Sequence, residues 1–177
     1  VRSLMGLMNP ATSRHEDGSA LFKGKDLFQL SEKEMCQIRG KDISMIFQNP
    51  LSALDPVYTI GNQIEEILRI HEHITGKQAR ERAIDLLRQV NIPSPELRID
   101  QYPHELSGGM QQRVVIAIAL ACRPKILIAD EPTTALDVTV QAQILALIKE
   151  LKERLQLSVI LITHNMGVVA AICDRMF

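Results

Sequence analysis

Two continuous apolar runs in the last third of the chain constrain its fold most strongly. They are KILIAD at residues 125–130 and SVILIT at residues 158–163, and neither alternates like a strand with one solvated face. Residues 138–155, which lie between them, carry apolar side chains at helical spacing. Strands that are buried on both faces and joined through helices are typical of parallel sheets. We therefore predict an α/β fold, a mostly parallel sheet with helices on both faces.

Shorter elements are predicted on either side of this unit. Residues 43–47 form a third apolar strand, and residues 19–30 form two short strands or one strand with a turn. The NPLSALDP segment at residues 49–56 is bounded by prolines and predicts a loop. After the second apolar run, GVVAAIC at residues 167–173 predicts a helix, and RMF at residues 175–177 predicts the start of another strand.

A mostly helical block interrupts the strand–helix alternation. Ser31 and Glu34 have the capping-box spacing that opens a helix before the block. Apolar residues then recur at helical spacing over residues 59–71 and 77–90, and a long apolar helix follows the glycine pair in LSGGM. We therefore expect three segments: part of a core at 1–56, an inserted helical subdomain at 57–122 and the core again at 123–177.

Composition narrows the functional classes. The 177 residues carry a formal net charge of −1, 3% aromatic residues and no Trp, so neither a basic surface nor a base-stacking platform points to nucleic acid. The three cysteines lack metal-ligand spacing and are expected to be reduced, mostly buried thiols. The longest apolar run, residues 114–122, is too short for a bilayer span of about 20 residues. Any membrane role therefore requires a membrane-embedded partner.

Two adjacent carboxylates end the first apolar run. Asp130 and Glu131 come at the carboxyl end of the predicted strand, where open α/β sheets bind ligands. Carboxylate oxygens suit Mg²⁺, and the second carboxylate can orient or deprotonate a water that attacks phosphorus. A solvated Asp-Glu pair at a strand end is the alternative, which the preceding apolar run and the following TTALD disfavour.

Polar side chains also follow the two neighbouring strands. His164 comes at the end of the second apolar run and can hydrogen-bond a phosphate or an attacking water. Gln48 follows the short strand at 43–47, and its amide can reach Mg²⁺ or water without adding charge. An isolated His is more often buried or a helix cap, and Gln48 alone could be an ordinary loop residue. The shared position of His164 and Glu131 at strand ends favours function.

The LSGGM segment opens a long apolar helix. Ser107 is a good N-cap, and Gly108 and Gly109 allow a ligand to approach the backbone closely. Free N–H groups at a helix start bind phosphate well. The alternative is a capped helix with glycines for a tight entry turn. Each glycine costs the helix about 1 kcal/mol relative to Ala, so we expect a bound anion to account for them.

Together these motifs resemble the ATP-binding-cassette ATPase family, in order and over essentially the whole chain. The longer segments FQNPLSALDPVYTIGNQI and YPHELSGGMQQRVVIAIALA are similar to dipeptide and oligopeptide importer ATPases, with nickel importers as near relatives. Met110 stands where the general LSGGQ signature has Gln, and Asn165 stands where Asp commonly follows the switch histidine. The matches are Gln48 to the Q-loop, residues 106–113 to the signature, Glu131 to the glutamate after Walker B, residues 135–137 to the D-loop and His164 to the switch histidine.

The resemblance implies a P-loop NTPase-like fold that binds ATP and Mg²⁺. It implies two ATPase subunits packed head to tail, a pair of membrane permeases, an indirect substrate-binding protein, no nucleic-acid partner and a peripheral location on the cytoplasmic face of the cell membrane. Catalytic roles fall to Glu131, His164 and Gln48, and Mg²⁺ ligation falls to Asp130 and Gln48. Nucleotide binding, mostly to the partner's ATP, falls to Ser107, Gly108, Gly109, Met110, Gln111 and Asp137.

One motif of the family is missing from the sequence. No G-x-x-x-x-G-K-[ST] pattern occurs, so the phosphate-cradling loop and its Lys are absent. We therefore expect the chain to be incomplete at both ends and to bind ATP poorly by itself. An inactive truncated cassette is one alternative to an importer ATPase. A non-transport ATPase of DNA repair or translation is another, which the compact helical block disfavours.

Overall fold

A computed structural model describes residues 3–8, 17–134 and 136–176. At its centre is a parallel sheet of three strands, β3 (Ile43–Ile46), β4 (Ile126–Asp130) and β5 (Ser158–Ile162), in the order β3-β4-β5. Ile46 pairs with Ala129, and Asp130 pairs with Ile162. The predicted α/β fold with a parallel sheet is confirmed.

The segment before β3 forms a hairpin and a capped helix. Strands β1 (Leu21–Phe22) and β2 (Lys25–Asp26) pair antiparallel, as one of the two predictions for residues 19–30 requires. Helix α1 (Glu32–Ile38) begins with the predicted capping box, in which the Ser31 backbone N–H donates to Glu34 at 3.0 Å.

Most of the chain between β3 and β4 is helical. The helices are α2 (Pro50–Ala53), α3 (Ile60–Glu72), α4 (Gly76–Gln89), α5 (Pro95–Arg98) and α6 (Gly108–Leu120). Helix α7 (Val138–Leu155) connects β4 to β5, and α8 (Met166–Ile172) follows β5. The N-caps Thr59, Ser107, Asp137 and Asn165 each accept a backbone N–H, so local chemistry sets where α3, α6, α7 and α8 begin.

Two expectations near the strands are wrong. The NPLSALDP segment is not entirely a loop, because α2 occupies its first half, with Pro50 as the first helical residue. Proline suits that position since its fixed φ is helical and no acceptor is needed for a first-turn N–H. Residues 174–176 do not form a strand; Phe177 lies outside the described residues.

Both faces of the sheet are covered. Leu127 belongs to a large apolar cluster that includes Ile64 of α3, Ile116 of α6 and Ile144 of α7. Ile128, its neighbour on β4, points the other way into a smaller cluster with Met35. The helices of residues 57–122 thus share one continuous core with the strands, and the division of the chain into three segments stays a prediction.

The helices are too short or too polar to be membrane spans. None of those in the described ranges combines the length and apolarity that crossing a bilayer requires.

Candidate functional site

The carboxyl ends of the three parallel strands lie side by side. Because Ile46 pairs with Ala129 and Asp130 with Ile162, the residues that follow β3, β4 and β5 leave the sheet at the same level. Strand ends of this kind form the ligand-binding edge of open α/β sheets. This register places Gln48 and His164 on either side of Glu131.

The side chain of Glu131 is the centre of a hydrogen-bonded cluster. Gln48 Nε2 donates to Glu131 Oε2 at 3.1 Å, and Thr134 Oγ1 donates to the same oxygen at 2.8 Å. His164 Nδ1 lies 3.0 Å from Glu131 Oε1. The structure therefore brings together Gln48, Glu131 and His164, the three residues predicted to be catalytic.

The cluster keeps the Glu131 carboxyl ionised. The hydrogen bond from His164 contributes most to lowering the pKa of Glu131 below its ordinary value, and the hydroxyl of Thr134 contributes next. Because an ionised carboxylate only accepts hydrogen bonds, His164 donates from Nδ1. A lowered pKa makes Glu131 a weaker proton acceptor and a better fixed acceptor for the hydrogen of a bound water.

The backbone at Glu131 is strained. Its φ is 45°, in the left-handed region that residues other than glycine rarely adopt. Such a conformation costs of order 1–3 kcal/mol and persists where surrounding contacts hold it. Here the Glu131 N–H donates to Ile162 O at 2.9 Å, one bond beyond the strand pairing, and the side chain is held by three partners.

Thr134 is a site residue that the sequence analysis missed. Besides bonding the Glu131 carboxylate, its hydroxyl lies 3.4 Å from the Glu131 carbonyl oxygen. A hydroxyl three residues after a strand-end acid is the only available signal, since Ser and Thr often bond backbone and side chains a few residues earlier. By itself, that signal is weak.

Asp130 offers a carboxylate for a cation. It ends β4 and is half-buried, one residue before the cluster at Glu131. A carboxylate and an amide oxygen, as proposed for Asp130 and Gln48, are hard ligands that fit Mg²⁺. In the part of the chain that the structure describes, no three His, Cys, Asp or Glu side chains are grouped to hold a metal. The two residues suit a Mg²⁺ that takes its other ligands from phosphate and water.

The start of α6 presents backbone N–H groups to solvent. Ser107 caps the helix by accepting the Met110 N–H at 3.4 Å, and Ser107 and Gly108 are exposed. The N–H groups of Gly108 and Gly109 have no acceptor among the described residues. This arrangement suits an anion from another molecule.

Packing explains why residue 109 is a glycine, which the sequence did not predict. A Cβ at Gly109 would lie 2.8 Å from Val140 Cγ1, closer than real Cβ contacts, whereas a Cβ at Gly108 would lie 3.5 Å from Leu136 Cδ2. The expectation that structure alone gives the two glycines little reason is therefore wrong for Gly109.

Three residues predicted to bind nucleotide, Met110, Gln111 and Asp137, make contacts within this chain. Gln111 is buried and its Nε2 donates to the carbonyls of Pro103 and Leu106, so its side chain does not reach the exposed helix start, contrary to the expectation. Met110 is half-buried against the large core.

The remaining predicted residue, Asp137, caps α7. Its Oδ1 accepts the Val140 N–H at 3.0 Å. Ala135, which belongs to the predicted D-loop, lies outside the described residues. No described hydrogen bond joins the start of α6 to the Glu131 cluster, so the predicted site residues form two groups linked by residues 131–140.

The profile of the ABC transporter family matches residues 1–134. The chain belongs to the ABC transporter family. It is 57% identical over 174 residues to a dipeptide transport ATP-binding protein, DppD, of Bacillus subtilis (strain 168), a match that covers 98% of this chain and 52% of that protein. It is 55% identical to the oligopeptide transport ATP-binding protein OppD of the same organism, over 98% of this chain and 49% of that protein. The chain thus spans about half the length of these curated relatives.

Solved ABC cassettes share the fold. The dimeric ATP-binding cassette MJ0796, in a post-hydrolysis state bound to ADP and Pi, aligns with a TM-score of 0.74 and 32% identity over 86% of this chain and 65% of that one. The cbiO1 protein of Clostridium perfringens, part of the ABC transporter complex cbiONQ, aligns with a TM-score of 0.77 and 27% identity over 98% of this chain and 64% of that one. The fold is therefore that of the ABC ATPase cassettes.

Proposed function

We propose that this chain is part of the ATP-hydrolysing subunit of a bacterial peptide importer. The observation that carries the proposal is the convergence of Gln48 and His164 on the carboxylate of Glu131 at the ligand-binding edge of the sheet. The match to the ABC family supports hydrolysis of ATP as the reaction, and relatives named for dipeptide and oligopeptide transport support peptides as the cargo class.

Glu131 orients the attacking water in this proposal. Its carboxylate is ionised and faces the strand ends, but all three of its partners are protein donors in this geometry. A water can take one of these positions once Gln48 or His164 turns toward a phosphate oxygen. The water then attacks the terminal phosphorus, and the bond from that phosphorus to the bridging oxygen of ADP breaks. Glu131 accepts the proton that the water loses and passes it to the phosphate product or to solvent.

Gln48 and His164 serve as sensors of the terminal phosphate. Both are exposed, and each makes a single described contact with Glu131 that a phosphate oxygen can replace. An imidazole and an amide both donate hydrogen bonds, which suits an oxyanion whose charge grows during the reaction. Mg²⁺ bound to the phosphates would neutralise part of that charge, with Asp130 and Gln48 as the protein groups able to hold it.

The start of α6 serves a second ATPase subunit. Ser107 and Gly108 are exposed and the two glycine N–H groups have no acceptor among the described residues, so they can receive the terminal phosphate of an ATP held mainly by another copy. The related cassette MJ0796 is dimeric. We infer a head-to-tail pair in which each copy completes the site of the other, as a homodimer or a heterodimer.

The membrane partner would bind beside the start of α3. Val57 and Tyr58 are large apolar residues that lie exposed there, with 69% and 54% of their surfaces accessible. The Ile60 and Gly61 N–H groups donate to carbonyls of residues 99–101, which fixes this corner of the helical block. Exposed apolar side chains close in sequence to Gln48 would suit a cytoplasmic segment of a permease. We infer that the subunit binds at the cytoplasmic face of the membrane, and these side chains support that inference.

ATP turnover by the full-length protein tests the proposal. Glu131→Gln keeps the shape of the side chain and removes its charge, so we expect ATP hydrolysis to fall by about 10²–10⁴-fold. Glu153→Gln, on the exposed side of α7, makes the same chemical change away from the site and serves as the control with unchanged turnover. Hydrolysis by Glu131→Gln at the rate of the wild type would refute the assignment.

A further inference from the structure

We propose that Val140 is a positioning residue for the start of α6, and that Gly109 lacks a side chain because Val140 occupies its place. Val140 lies in the first turn of α7, and its Cγ1 would be 2.8 Å from a Cβ at Gly109. The two helix starts therefore rest directly on each other. The functional part of this inference rests on the proposed role of the α6 start in binding phosphate.

Val140 is unable to move aside easily. It is β-branched, and a β-branched side chain in a helix has one strongly preferred rotamer. Its backbone is fixed as well, because its N–H donates to the Asp137 cap at 3.0 Å. Val140 and Leu136 both pack against the large core. Any side chain at Gly109 must therefore push α6 away from α7.

The two glycines differ in what they require. Gly109 is not among the residues with positive φ, so its backbone conformation is open to any residue and space alone excludes a side chain. A Cβ at Gly108 would be 3.5 Å from Leu136 Cδ2, which is ordinary van der Waals contact. Packing thus requires a glycine only at Gly109. Gly108, the neighbouring position, provides a matched control.

The same face of α6 is buried one turn beyond the glycines. Gln112 follows Gly108 by four residues and Gly109 by three, so it lies on their face one turn further along the helix. Gln112 is fully buried, and neither its amide nitrogen nor its amide oxygen has a hydrogen-bond partner among the described residues. The burial of Gln112 thus continues the packed face of α6 one turn beyond Gly109.

This contact connects the two groups of the proposed site. Thr134 bonds the Glu131 carboxylate, Leu136 lies against Gly108, and Val140 lies against Gly109, all within residues 131–140. The position of the α6 start is therefore set by the same segment that leaves the Glu131 cluster. A change at Val140 alters the half-site offered to the second subunit without touching a residue that contacts nucleotide.

Thermal unfolding and ATP turnover of the full-length protein test the inference. We expect Gly109→Ala to lower Tm by several degrees and to reduce kcat at least tenfold with little change in KM, because the nucleotide held by the same subunit is untouched. Adding Val140→Ala should restore most of both losses. Adding Val140→Thr should restore neither, since Thr keeps the branched shape. Gly108→Ala should leave Tm unchanged or raised, because Ala favours the helix.

Each outcome distinguishes the inference from the proposed function. If Val140→Ala restores neither Tm nor kcat in the Gly109→Ala background, or if Gly108→Ala and Gly109→Ala lower Tm equally, the packing account is overturned. Recovery of Tm without recovery of kcat overturns the positioning role alone. Recovery of Tm in a protein whose wild type does not hydrolyse ATP supports the packing and refutes the proposed function. Should Gly109→Ala not fold, the yields of the two double variants give the same comparison.

Discussion

Glu131 combines an ionised side chain with a left-handed backbone. The sequence places it at a strand end next to Asp130, and that is enough to predict a ligand-binding carboxylate. Its backbone strain and its bond to Thr134 depend on how the chain turns after β4, which no local pattern encodes. A strained residue held by three side-chain contacts is the kind of position where function overrides stability.

The Thr134 hydroxyl should set part of the pKa of Glu131. The Thr134→Val substitution removes a hydrogen bond to the carboxylate, so the pKa of Glu131 should rise toward its ordinary value of 4.5. A lowered folded pKa stabilises the protein above the unfolded value and the effect is lost as pH falls through the folded value. The difference in free energy of unfolding between wild type and variant should therefore be largest near pH 6 and decrease below about pH 4.5.

Urea unfolding at a series of pH values measures this dependence. Thr133→Val is the matched control, since the Thr133 side chain makes no contact with Glu131 among the described hydrogen bonds. A loss of stability in Thr134→Val that is the same at every pH would contradict the coupling to Glu131.

The cysteines differ more than the sequence indicated. They are free thiols, but Cys36 is exposed, so the expectation of mostly buried thiols is wrong for it. Cys36 lies on α1, whose outer face is not covered, and its place on that face is not visible from spacing alone. Burial raises the pKa of the Cys122 thiol to about 11.

Alkylation should therefore separate the two thiols. At pH 8 the Cys122 thiolate is about 100-fold rarer than that of an ordinary cysteine, and the buried sulfur is also inaccessible. We expect iodoacetamide to modify Cys36 at least tenfold faster than Cys122, as followed by mass spectrometry of peptides. Equal rates in the native protein would show that Cys122 is not buried, while equal rates in urea are expected.

At the scale of elements, we expect opposite effects on the free energy of unfolding when the two neighbouring glutamines of α6 are replaced. Gln111 donates two hydrogen bonds to the carbonyls of Pro103 and Leu106, whereas the buried amide of Gln112 has no partner in the part of the chain that the structure describes. Gln111→Leu should cost about 1–3 kcal/mol in the free energy of unfolding, because it leaves carbonyls unpaired. Gln112→Leu should be neutral or stabilising, because it replaces an unpaired amide by an apolar group.

Chemical denaturation of both variants measures this contrast. The substitution and the helix are the same and both glutamines are buried, so each variant is the control for the other. If Gln112→Leu destabilises the protein as much as Gln111→Leu, the amide of Gln112 has a partner and the account of this face is wrong.

Helix starts were predictable and one short helix was not. Ser31 and Ser107 carry their cap chemistry in the sequence, and the structure uses both as N-caps. Helix α2 was missed because four residues cannot show helical periodicity, and the prolines at 50 and 56 resemble loop boundaries. The contact between Gly109 and Val140 was missed because it joins residues 31 positions apart.

At the scale of the whole molecule, the class of the fold follows from the sequence and its three-dimensional order does not. Two unbroken apolar strands joined by a helix fix a parallel sheet, because each strand must be covered on both faces. That β4 lies between β3 and β5 is decided by non-local pairing across the helical block. That order is what brings Gln48 and His164 to Glu131 from opposite sides.

In the proposed function, these strand ends and the start of α6 bind one terminal phosphate between two copies of the protein. Sedimentation of the full-length Glu131→Gln variant, with and without Mg²⁺ and ATP, tests it most directly. We expect a monomer without nucleotide and a dimer with saturating ATP, because hydrolysis no longer reopens the shared site. A variant that binds ATP and yet stays monomeric at every concentration would contradict it.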